Sequence, residues 1–203
     1  MRRVVVLALL ALALPMVAWA GEIDISNQFG SISISNAGIS SVGSQLTGWD
    51  KIKGVHGSVS FSTGALTAGS YLTGGTFSSA GSTFVVLGVG KWAKALTGQT
   101  KNPVTLFSGS FTGPINWTIF STTKNSTTYQ LSGAIQGMLY TGRIVSGVTT
   151  QYLTATNGQW AAGKGHITMG SSGLSAPEPE TLGLLGTGLV GIAGLFRRKL
   201  IGA

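Results

Sequence analysis

Residues 21–175 predict an all-β domain, an antiparallel sandwich or a barrel. Three observations predict it. Apolar residues alternate with polar ones at period two along many short segments. Glycine, Asn-Gly and Gly-Pro punctuate those segments, as at Asn157-Gly158 and Gly113-Pro114. Threonine and serine fill the alternate positions, as suits a sheet with one solvated face.

The strands follow in order. Ile23 and Ile25 alternate with polar neighbours, then Ile32 and Ile34, then Val59 and Phe61. Phe84 to Val89, Val104 to Phe111, and Ile115, Trp117 and Ile119 continue the pattern. Tyr129 to Tyr140, Arg143 to Thr156 and Gly165 to Met169 complete it. Lys91 to Leu96 reads as a short helical turn, and residues 62–82 as a flexible loop. Asn157-Gly158 fits a type I′ hairpin turn, because both residues tolerate positive φ. Four tryptophans (Trp49, Trp92, Trp117 and Trp160) supply a core and argue against a disordered Gly/Ser linker. A parallel solenoid is the alternative architecture, without a fixed repeat to support it.

Composition narrows the chemistry. The chain of 203 residues has no cysteine, two histidines and five carboxylates. Disulfides, thiolate metal sites and cysteine nucleophiles are therefore excluded. Glu22, Asp24 and Asp50 are the carboxylates of the body, and they read as surface residues rather than a glycosidase pair. His56 and His166 lack metal-site spacing. No catalytic residue, no metal site and no cofactor is expected, which makes an extracellular hydrolase the weakest reading. The formal charge of +8 falls partly on the two ends, and the body has no dense basic run. Nucleic acid is thus not an expected partner.

Both ends read as addresses. Arg2-Arg3, the apolar run Val4 to Leu14, and Ala18-Trp19-Ala20 form a signal peptide over residues 1–20. Cleavage is expected between Ala20 and Gly21. An uncleaved anchor is the alternative, but the run is short for a bilayer. At the other end, residues 176–203 hold Pro177-Glu178-Pro179, an uncharged apolar stretch over 181–196, and the basic cluster Arg197-Arg198-Lys199. The stretch predicts a transmembrane helix with its basic flank in the cytoplasm and the body outside. The two prolines hold the intervening glutamate extended, as a processing enzyme requires.

In this order, and paired with a signal peptide, these elements resemble the PEP-CTERM sorting signal. The resemblance covers roughly residues 176–200 and not the body. It implies that Pro177, Glu178 and Pro179 are recognised by an exosortase, a membrane-embedded transpeptidase-like enzyme that removes the tail near the motif. It also implies export, often alongside exopolysaccharide or biofilm production. The expected protein is non-enzymatic. It is held first in the inner membrane with its body in the periplasm, and it reaches the cell surface or the exterior after processing.

A carbohydrate-binding module for extracellular polysaccharide is the alternative function. Sugar sites on β-folds use exposed aromatic faces. Trp49 beside Lys51 and Lys53, and Trp92 beside Lys91 and Lys94, are the candidate sugar contacts. Trp117, in phase with Ile115 and Ile119, is expected in the core.

Overall fold

The computed structural model describes residues 22–176. They fold into thirteen strands of one sheet and two short helices. The first part of the chain gives β1 (Glu22–Gln28), β2 (Gly30–Ser35), β3 (Gly38–Trp49), β4 (Ile52–Lys53) and β5 (Gly57–Ser62). Next come β6 (Leu66–Ser70), β7 (Gly74–Phe77), β8 (Thr83–Gly88) and the helix α1 (Lys91–Thr97). The rest is β9 (Val104–Phe111), β10 (Ile115–Thr122), β11 (Ser126–Leu139), β12 (Ile144–Thr156), α2 (Asn157–Ala161) and β13 (Lys164–Ser175).

Several of these strands are halves of longer ones. β13 pairs with β1 from Ser175↔Glu22 and with β2 through Lys164↔Ser33, without a change of register between them. Phe29 bends this first strand at φ 53°, yet its N–H still donates to the Ile167 carbonyl at 3.0 Å. In the same way β5 and β6 run along β8 and β7, and β9 and β10 run along β11. Eight long strands result, each antiparallel to the next, and β13 returns to β1. The fold is an eight-stranded up-and-down barrel. Closure removes the free edges that an open sheet would expose.

Inward positions are mostly apolar and outward ones mostly polar. Along β11, Thr127, Tyr129, Leu131, Ile135 and Leu139 are buried, while Thr128, Gln130, Ser132 and Gln136 are not. This is the reverse of a barrel whose outer wall meets lipid. Phe61, Phe84, Phe107 and Phe111 fill the middle, with Phe61 and Phe84 stacked at 6.2 Å. Burying each such ring contributes about 2–3 kcal/mol. Gly133 makes room for them, since a Cβ there would lie 2.8 Å from the Phe111 ring.

At one end of the barrel Trp117 stacks on Tyr129 at 4.5 Å, and Trp160 meets both rings edge-on. Trp160 comes from α2, so this helix plugs the barrel. Its start corrects the hairpin expected at Asn157-Gly158. Thr156 and Gln159 form a capping box, in which each side chain accepts a hydrogen bond from the other's backbone N–H. That cap and the buried Trp160 outweigh the turn preference of Asn-Gly.

Residues 62–82 are likewise no loop, because β6 and β7 extend the wall there through Leu66 and Phe77. The short helix expected from Lys91 is present as α1. All pairings are antiparallel, so the solenoid alternative falls. Among the described residues no helix is long and apolar enough to cross a membrane. The apolar stretch 181–196 lies outside them.

Candidate functional site

Alternation along β1, β3, β12 and β13 turns five polar side chains inward: Asn27, Ser44, Thr149, Gln151 and Ser172. All are 2% exposed or less. Asn27 Nδ2 donates to Ser44 Oγ at 2.7 Å and to Gln151 Oε1 at 2.9 Å. Gln151 Nε2 donates back to Asn27 Oδ1 at 3.3 Å and to Thr149 Oγ1 at 2.9 Å. Ser172 Oγ donates to Thr149 Oγ1 at 2.7 Å. Gly170 lets the two amides meet, because a Cβ there would overlap both of them. Every amide donor and acceptor of the pair is used, which suits a rigid internal strut. None of the five side chains titrates near neutral pH.

The aromatic end adds a further buried polar group. The Tyr129 hydroxyl donates to the Leu72 carbonyl, and burial pushes its phenol above the ordinary 10.0. Trp117 Nε1 and Trp160 Nε1 donate to the carbonyls of Tyr71 and Thr127, at 2.9 and 2.8 Å. Trp117 sits in the core as expected.

The two candidate sugar contacts part company. Trp49 is 2% exposed and packs inside the barrel, so its faces are closed to a ligand, which corrects that expectation. It ends β3 on the inward phase set by Ser44 and Leu46, with the β-bulge beyond Leu46 carrying that phase to Trp49. Trp92, on α1, is half-buried against the core and donates from Nε1 to the His56 carbonyl at 3.1 Å. His56 and His166 stay apart, the first before β5 and the second in β13. Among the described residues no three His, Cys, Asp or Glu side chains gather to hold a metal.

Chain order assembles one feature that sequence position hides. In an up-and-down barrel the connections 50–56, 89–103 and 140–143 all lie at one end, together with the start of β1 and the end of β13. Lys51, Lys91, Lys101 and Arg143 are exposed there, and Lys94 is half-buried. Lys124 and Lys164 lie at the opposite end. The acids Glu22, Asp24 and Asp50 lie at the same end as these cations, on its β1–β3 side next to Lys51, where the Asp50 N–H donates to the Asp24 carbonyl at 2.6 Å. The signal was available only by combining charge with strand order.

The last strand also ends here. Ser175 pairs with both Glu22 and Ser146, Leu174 is fully buried, and Ala176 is 9% exposed. The expected signal-cleavage residues Ala18, Ala20 and Gly21 lie outside the described residues. So do the sorting motif Pro177, Glu178 and Pro179 and the basic cluster Arg197, Arg198 and Lys199. No curated protein and no solved structure matches the chain. The family model of the PEP-CTERM protein-sorting motif does match, over residues 175–199. The chain therefore carries a PEP-CTERM sorting signal directly after its barrel, which implies an exported protein sorted by an exosortase.

Proposed function

We propose that the barrel is the non-enzymatic cargo of this signal, a surface or extracellular matrix module that works alongside exopolysaccharide or biofilm. The observation that carries the reading is the sorting motif at 175–199, which begins on the last residue of β13. The barrel interior agrees with a structural role, since rings fill its middle and the Asn27 and Gln151 amides bond to each other and to Thr149. The signal peptide over 1–20 would start export, and the 181–196 helix would hold the protein until an exosortase acts at Pro177-Glu178-Pro179. The body would face the periplasm before processing and the exterior after it.

The test is fractionation and intact mass of the protein in its native host, with and without Glu178→Ala and Pro179→Ala. Wild type should lose both ends and leave the membrane. The variants should keep the C-terminal segment and stay in the membrane fraction. Release of the variants with a trimmed tail would overturn the sorting role of the motif.

Polysaccharide binding remains a second reading on a different observation. With Trp49 buried, Trp92 is only half-buried, and Phe120 lies exposed on the outer wall 4.7 Å from the Tyr152 ring. Such a pair offers a sugar an aromatic platform. Retention of the exported protein on the host's own polysaccharide, reduced by Phe120→Ala and Trp92→Ala, is the expected result. Unchanged retention in both variants would remove this reading.

A further inference from the structure

The end of the barrel at which the described chain stops combines cations with exposed apolar side chains, loop by loop. In the 50–56 connection Lys51 precedes Ile52, which is 42% exposed. In the 89–103 connection Val89, 39% exposed, precedes Lys91, and Lys101 follows. In the turn after β11, Arg143 adjoins Ile144, which is 58% exposed and pairs with the exposed Met138. The 89–103 segment holds three lysines and no acid. Neither feature alone selects a partner. Together they fit the headgroup region of a bilayer, where ammonium and guanidinium groups meet phosphates while apolar side chains enter the acyl boundary.

With 181–196 in a bilayer, as proposed above, the chain would hold this end close to the membrane. Ala176 is at this end, and only residues 177–180 separate it from the apolar stretch 181–196. Fully extended, that connection reaches at most about 18 Å. The opposite end, with Lys124 and Lys164, has no such constraint.

We propose that the Lys51, Lys91, Lys101 and Arg143 rim docks the barrel on an anionic lipid surface while the tail is still attached. The rim holds the barrel against the headgroups and so limits the freedom of the chain that follows Ala176. Loss of the tail removes the anchor, and salt-sensitive contacts of this kind then release the barrel. The proposal rests on the reading that 181–196 enters a bilayer.

The test uses the full chain, uncleaved at its C-terminus, in vesicles of zwitterionic phosphatidylcholine and in the same vesicles enriched in anionic phosphatidylglycerol. Amine acylation, read lysine by lysine by mass spectrometry, is the measurement. In anionic vesicles, labelling of Lys51, Lys91 and Lys101 should fall about fivefold relative to Lys124 and Lys164. That factor corresponds to about 1 kcal/mol per basic residue at the surface. High salt should restore the labelling.

Equal labelling in the two vesicle types overturns the proposal. So does protection of the same lysines by a soluble anionic polysaccharide but not by anionic lipid, which would give the rim to the polymer. A chain that fails to float with the neutral vesicles overturns the membrane reading of 181–196, and the proposal falls with it. Flotation and labelling thus separate the two failures.

Discussion

Asn27 and Gln151, 124 positions apart in sequence, exchange hydrogen bonds through their side-chain amides inside the barrel. The pair ties β1 to β12 through the lumen, with β13 lying between them in the wall. Removing one partner leaves buried amide groups of the other unsatisfied. Gln151→Ala should therefore cost about 2–4 kcal/mol, counting the cavity as well. The double variant Asn27→Leu/Gln151→Leu should lose clearly less than the sum of the two single leucine variants, because it leaves no orphan. Urea unfolding followed by tryptophan fluorescence measures both. Additive losses would show that the two amides act independently.

The strut also shows where the sequence could be read and where it could not. Period two marked most strands correctly, because burial alternates along them, as at Tyr129, Leu131 and Ile135. The same parity, applied to polar residues, would have placed Asn27 inward with Ile25 and Gln151 inward with Leu153. What parity could not give was the partner of each strand, and hence the meeting of Asn27 with Gln151. The small residues of β6 and β7 hid two strands, since Gly69, Gly74 and Gly75 carry no pattern. Lys51 and Lys53 beside Trp49 point to an exposed sugar contact, yet Trp49 closes the inward row of β3.

Tyr129 makes stability depend on pH at the alkaline end. Its phenol is raised above 10.0 by burial, so the unfolded chain loses this proton first as pH rises. Between the two values the native state holds more protons, and stability falls with increasing pH. The contribution is complete below the ordinary value and is lost as pH climbs toward the folded one. Thermal melts between pH about 9 and about 11 should show a drop in midpoint that Tyr129→Phe makes shallower. An equal slope in the variant would assign the loss to other groups.

Trp49 and Phe120 should behave as opposites. Trp49 is 2% exposed within the core, so Trp49→Ala should cost about 3–5 kcal/mol. Phe120 is 59% exposed and meets the Tyr152 ring edge-on, so Phe120→Ala should cost no more than about 1 kcal/mol. Chemical denaturation of each variant decides the matter. A stable Trp49→Ala protein would mean that this indole is not a core element and would reopen its candidacy as a sugar contact.

The position of C-terminal processing is limited by the barrel itself. A processing enzyme binds its substrate as an extended strand with free backbone edges. Up to Ser175 no such edge exists, since β13 is paired on one side to β12 and on the other to β1. Leu174 is fully buried and Ala176 nearly so. Cutting before Ala176 would require this strand to be pulled from between its two neighbours, undoing the closure of the barrel. The exported protein should therefore end at Ala176 or beyond it, within or just after Pro177-Glu178-Pro179. Its C-terminal peptide mass, read from the native host, is the measurement. Inserting a Gly-Ser spacer between Ala176 and Pro177 should leave processing intact and lengthen the retained C-terminus by the spacer. A wild-type terminus at Ser175 or earlier would mean that β13 opens during sorting, and the barrel would not be the form in which the protein meets the enzyme.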